Sequence, residues 1–206
     1  MEKTSLPRKE REKLRHRREI LETALNLFSE KSFHDVSMQE IADKSEFSVG
    51  TLYNFFENKD SLFSELIRDC AQKIHETLDP KLKGDENEIE KISKYIRAHI
   101  QIVNENARTI KMYLLQYPNS FLTIKPEIDP VADAIRDKHR SMLSEILKSG
   151  ISKGLFREIN PDIGALLLSA QLESVALQHV MHPDKTSIDE GISEIENFFM
   201  TGIIKK

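Results

Sequence analysis

Apolar positions recur at helical spacing through most of the chain. Leu14, Leu21, Leu25 and Phe28 share a stripe that Ile20, Ala24 and Leu27 widen, which predicts a first helix over about 12–31. Ser32-Phe33-His34-Asp35 interrupts it. Ser37-Met38-Gln39-Glu40 then reads as a capping box: the Ser37 hydroxyl accepts from the Glu40 amide, and the Glu40 carboxylate reaches back to the Ser37 amide. A helix of about two turns follows to Lys44, with Met38, Ile41 and Ala42 inward. After the turn Ser45-Glu46-Phe47, Ser48 caps a third helix over Val49–Phe55, anchored by Leu52 and Phe56. Asn58 caps a fourth, from Lys59 to about Leu78.

Asp79-Pro80 and the polar run Lys83–Asn87 predict a linker. Further helices are expected at about 87–105, 107–117, 130–153, 160–182 and 187–203, with Pro118, Pro126, Pro130, Pro161 and Pro183 supplying most breaks. No stretch alternates as a strand does, so the fold class is all-α. The expected organisation is a basic arm over 1–16, a helix-turn-helix domain over 17–66 with its motif at about 37–56, and a larger helical domain over 67–206.

Charge sharpens this picture only locally. The 206-residue chain carries a net charge of −4, which does not favour nucleic acid. Its first twenty residues hold eight Lys/Arg against four Glu, a local excess of four positive charges able to direct phosphate contact to one place. The N-terminus lacks the apolar core of a signal peptide, and the aliphatic run Ala165–Leu168 is too short to cross a bilayer. The single cysteine, Cys70, excludes an internal disulfide and suits a reducing, cytoplasmic setting; amid Leu66, Ile67 and Ile74 it reads as a buried thiol rather than a redox sensor.

Two short capped helices separated by three residues fit a helix-turn-helix, whose second helix enters the major groove. The outward residues of helix 3, Val49, Gly50, Tyr53 and Asn54, are small or hydrogen-bonding rather than long surface charges. A turn within an ordinary bundle would share the same spacing.

The residue string itself goes further. Ile20–Phe28, Ser37–Ala42, Ser48–Phe56, Asn58-Lys59 and Leu62-Phe63 resemble, in order and spacing, the DNA-binding domain of the TetR (tetracycline-repressor-like) family over residues 20–67. A weaker echo lies at Gly150–Arg157 with Asn160-Pro161. The resemblance implies a transcription regulator, commonly a repressor, bound to double-stranded operator DNA. It implies that Ser37, Thr51, Tyr53 and Lys59 contact phosphates, that Ser48 caps the recognition helix at the DNA, and that Val49, Gly50 and Asn54 face the groove. Arg17 and Arg18 would bring charge to the flanking groove. Three positions depart from the family pattern: Ser32 stands near a usual glycine, Ser45-Glu46-Phe47 replaces a common Ala-Gly-Val turn, and Val49 replaces a frequent Lys or Arg.

Residues 163–182 are apolar almost all round, and such a helix must be covered on both sides. With the last helix it predicts a two-fold homodimer interface through Leu168, Leu172, Val175, Ile192, Ile195 and Phe199. The resemblance also implies a small-molecule pocket between residues 80 and 157, for which Tyr95, His99, Ile102, Tyr113, Leu114, Tyr117 and Met142 are the candidate lining. Their mixed polarity suits a largely apolar effector with one or two polar anchors. No cofactor and no membrane partner are expected. Two other classes remain: a helical protein–protein adaptor without DNA binding, and a metal-binding enzyme using His179, His182 and Asp184.

Overall fold

Ser37 and Ser48 each stand immediately before a helix, and each side chain accepts the amide three residues on. A computed structural model describes residues 7–116 and 129–205. Among them, α1 spans Arg8–Glu30, α2 Met38–Lys44, α3 Val49–Phe55, α4 Lys59–Lys83, α5 Glu88–Gln116, α6 Pro130–Ser152, α7 Pro161–Met181 and α8 Ile188–Ile203; a 3-10 turn covers Phe33–Asp35. The described residues form no strand, only an isolated bridge between Phe156 and Ile204.

Three boundaries differ from expectation, each for a local reason. α1 begins at Arg8, so residues 8–16 of the expected arm are helix; Pro7 precedes it and Arg8 pairs with Glu12 one turn on. Leu14, expected in the apolar stripe, is exposed there. α4 does not end before Pro80 but runs on to Lys83. Proline deprives the Glu76 carbonyl of its helical donor, but only one turn before the helix end, with Pro80 itself exposed to solvent. The expected break near residue 106 is absent because α5 is continuous and Asn106 donates its side-chain amide back to the Ile102 carbonyl at 2.9 Å.

The chain divides into two compact units, with the boundary inside α4 between Ile67 and Arg68; Met112–Gln116 at the end of α5 group with the first. The first unit is cored by Ile20, Phe28, Ile41, Leu52 and Leu62, with Phe33 and Phe63 closing edge-on at 5.2 Å. The second is cored by α5–α8 through Ile92, Ile96, Leu143, Leu147, Leu168 and Ile192. Asp129, fully buried, caps α6 through the amides of Val131 and Ala132 and takes Arg68 of α4 at 2.6 Å on its other oxygen. Glu88, at the first turn of α5, accepts from Ser149 and Lys153, which hold its carboxyl down at about 2. Although α7 has the length and mean hydropathy of a bilayer span, it packs against both α6 and α8.

The echo at Gly150–Arg157 has a structural explanation. Gly154 adopts φ 72°, and the amides of Leu155 and Gly154 return to the carbonyls of Gly150 and Ile151 at 2.9 and 3.0 Å. This left-handed stop reverses the chain and lays the Phe156 ring over Gly150.

Candidate nucleic-acid interface

α3 is held by its inward side and offers the other. Leu52 is fully buried and Phe56, just past the C-terminus, nearly so. Ser48 Oγ accepts from the Thr51 amide at 3.1 Å and contacts the Thr51 hydroxyl at 2.8 Å, which closes the first turn. Gly50 and Asn54 lie exposed beside Tyr53, itself 53% accessible, while Val49 and Thr51 are half-buried. Nothing but the Ser48 hydroxyl lies within 4 Å of where a Gly50 Cβ would stand, so its outer side is open for close backbone approach. Ser37 caps α2 as expected from the sequence, at 3.0 Å from the Glu40 amide. The reciprocal half of the capping box does not form: the Glu40 carboxylate pairs instead with Lys31 at the end of α1.

Two expected DNA contacts are engaged within the protein. The Arg17 guanidinium donates to both oxygens of Glu65 and to the Phe55 carbonyl, and lies 4.4 Å over the Phe56 ring. It ties α1 to α4 and to the end of α3, with its planar fork spent on a bidentate pair. The Lys59 ammonium donates to the carbonyls of Phe33 and Val36 at 2.6 Å each and sits 4.3 Å from the Phe33 ring centre. An ammonium has three N–H donors, and two here pin the 3-10 turn. Arg18 is exposed, as are Arg8, Lys9, Arg11, Lys13 and Arg15 on the same helix.

The turn between α2 and α3 shows what the Ser45-Glu46-Phe47 departure means. Glu46 has φ 60°, a left-handed conformation in which a side chain costs about 1–2 kcal/mol. Glycine would remove that strain at the expense of more freedom in the unfolded chain, about 0.5–1 kcal/mol. Glu46→Gly should therefore stabilise the first unit by about 0.5–1 kcal/mol. A chemical-denaturation midpoint at or below that of the unaltered protein would contradict this.

In the second unit the expected lining does not gather into one pocket. Tyr95 and Ile102 are buried on α5, His99 and Met142 half-buried, while Tyr113 and Leu114 belong to the first unit and Tyr117 lies outside the described residues. An open cleft of about 780 Å³ lies elsewhere, among Lys81, Lys94, Arg97, Ala98, Gln101 and Asn104. The dimer residues also need correction. Leu168, Leu172, Ile192, Ile195 and Phe199 are in the core of a single chain, and Val175 packs at its edge against Gly191. The apolar side chains that α7 and α8 leave exposed are Ile163, Leu166, Leu167, Met181 and Phe198, the last 73% accessible. His179 Nδ1 donates to the Thr186 carbonyl at 2.6 Å, and among the described residues no three metal-binding side chains converge. Cys70 is buried, and desolvation pushes its thiol up to about 11.

Residues 20–66, which hold this whole two-helix arrangement, match the family described as bacterial regulatory proteins, tetR family. Those residues are similar to the DNA-binding domain of that family. The chain is also similar to the HTH-type transcriptional repressor KstR2 of Mycolicibacterium smegmatis, 24% identical over 147 residues, covering 71% of this chain and 69% of the repressor. A Clostridium perfringens structure described as a fatty acid metabolism regulator superposes with a TM-score of 0.70 at 28% identity, covering 91% of this chain and all (100%) of that one. FadR of Bacillus subtilis in complex with stearoyl-CoA gives a TM-score of 0.73 at 18% identity, covering 89% and 97%. Residues 20–66 thus carry the helix-turn-helix of a DNA-binding transcriptional regulator, formed by α2 and α3, in a chain whose described residues are all-α.

Proposed function

We propose that the protein represses transcription by binding a palindromic operator as a homodimer, and that a largely apolar small molecule bound in the second unit releases it. The observation that carries this reading is the exposed start of α3: Gly50, Tyr53 and Asn54 stand outward beside the Ser48 cap. Asn54 suits adenine N6 and N7, Val49 a thymine methyl, and Tyr53, Ser37 and Thr51 phosphate oxygens. Arg18 and the exposed cations of α1 supply the nonspecific attraction that the net charge lacks. Arg17 and Lys59 act one step back, holding α4 and the 3-10 turn in place.

The exposed apolar side chains of α7 and α8 support pairing with a second copy, because monomers rarely leave such a row uncovered. Two-fold pairing places two recognition helices on half-sites one helical turn apart, about 34–36 Å. An effector that prefers a dimer with another spacing would shift the population away from DNA, by several kcal/mol if release is to be nearly complete.

Fluorescence anisotropy with the DNA upstream of the protein's own gene tests this reading. Binding should weaken at least about tenfold between 50 and 200 mM salt. Asn54→Ala should lose about 1–3 kcal/mol of preference for that DNA over a scrambled duplex, with nonspecific binding little changed. A helical adaptor would bind neither duplex.

A further inference from the structure

Residues 8–19 precede the stretch that matches the family, yet they form about the first three turns of α1. Arg8, Lys9, Arg11, Lys13, Arg15 and Arg18 are all exposed on them, so exposure alone does not separate one cation from another. The roll of the helix does. Two adjacent residues fix it. The His16 ring meets Phe47 with ring centres 5.0 Å apart, and the Arg17 guanidinium donates to the Phe55 carbonyl at 2.8 Å. Phe47 stands just before Ser48, the cap of α3, and Phe55 is the last residue of α3. Successive helical residues turn by about 100°, so His16 and Arg17 bound a sector of about 100° on α1 that faces α3.

α1 is unbroken from Arg8 to Glu30, so this roll carries back to its start. Counted back from His16, Lys9 falls about 20° and Lys13 about 60° into the sector, with Glu10 just beyond its Arg17 edge. Arg18 and Arg11 fall about 200° and 220° from His16, on the opposite side of the helix. Arg8 and Arg15 pair with Glu12 and Glu19 at 2.9 and 3.8 Å, whereas neither Lys9 nor Lys13 makes an ion pair among the described residues. Lys9 lies seven residues before His16, so the two ammonium groups reach about 10 Å past the turn that leads into α3. An ammonium is a compact charge with three donors, which suits a phosphate oxygen.

We propose that Lys9 and Lys13 bind operator phosphates beyond those reached by α2 and α3, and that Arg11 and Arg18 act only through the general field of the helix. The inference rests on the reading that α3 enters operator DNA, and it adds a directed contact from outside the helix-turn-helix. His16 and Phe47 are positioning residues that aim the two lysines.

The test compares two double variants of the full chain with the same change in charge, Lys9→Gln with Lys13→Gln and Arg11→Gln with Arg18→Gln. Binding to the DNA upstream of the protein's own gene is followed by anisotropy from 50 to 200 mM salt. Two lost phosphate contacts should lower the slope of log affinity against log salt by about 1.8 in the lysine variant, and by less than half of that in the arginine variant. The lysine variant should bind at least about tenfold more weakly, with its preference over a scrambled duplex unchanged, because phosphate contacts carry no base information. Hydroxyl-radical footprinting should show protection lost at the outer edge of each half-site in the lysine variant alone. Circular dichroism establishes that both variants are folded. Equal slope changes in the two variants, or an unchanged footprint in the lysine variant, overturn the inference. If either result accompanies base preference that Asn54→Ala still removes, only the role of Lys9 and Lys13 falls. If the unaltered protein binds neither duplex, the reading of α3 falls and takes this contact with it.

Discussion

Gly150→Ala should destabilise the second unit by about 3 kcal/mol, the upper range for overpacking a core. A Cβ at this position would lie 2.1 Å from Cδ2 and 2.2 Å from Cε2 of Phe156, whose ring is 2% exposed. The ring cannot swing aside easily. The Leu155 and Phe156 amides are both bound to the Gly150 carbonyl, Arg157 N donates to the Ile203 carbonyl at 2.8 Å, and Lys205 N donates to the Leu155 carbonyl at 3.0 Å. Both ends of the short segment are thus pinned, and the clash must be relieved by moving α6 or the α8 end. Urea unfolding measures the loss. Adding Phe156→Ala should change stability by much less in the Gly150→Ala background than alone, because the ring is then already displaced. Strict additivity of the two substitutions would refute the contact as the cause.

Acidification should weaken the same unit through His139. This ring is 5% exposed, and its Nε2 lies 3.0 Å from His75 Nδ1. Desolvation first, then the neighbouring His75, lowers its pKa from 6.5 to about 4, with Asp79 opposing and Lys138 and His99 adding to the shift. The unfolded chain therefore binds a proton between about pH 6.5 and 4 that the folded chain refuses. The stabilising contribution is complete above pH 6.5 and is lost as pH falls toward 4. On the scale of 1.36 kcal/mol per pH unit, the loss is about 2 kcal/mol between pH 7 and 5. His99, also lowered to about 4 by burial, adds a loss of the same sign. His139→Gln should flatten the pH dependence by about half over that interval. If unfolding midpoints fall as steeply in the variant as in the unaltered protein, another group is responsible.

Much of the DNA-binding unit was legible because its signals are local. A serine before an apolar-periodic run is a helix start wherever it is placed, and both Ser37 and Ser48 proved to be one. What failed in the same unit depended on distant partners. Lys59 and Arg17 read as free cations in the sequence, and only the fold brings the Phe33 and Val36 carbonyls to one and Glu65 to the other. Pro80 and Asn106 read as breaks, but a proline one turn from a helix end and an asparagine bonded to its own helix interrupt little. The dimer residues failed for a different reason. A helix apolar on every side does not reveal which side its own chain covers, and Leu168 and Leu172 fell on the covered one.

The leucines that α7 keeps outside have a consequence for every measurement on this protein. If Leu166, Leu167 and Phe198 are covered only by a second copy, dilution uncovers them, and part of what a melting curve reports is mass action rather than folding. The melting temperature should then climb with protein concentration, and charged substitutions at Leu167 would abolish that slope before they abolish the fold.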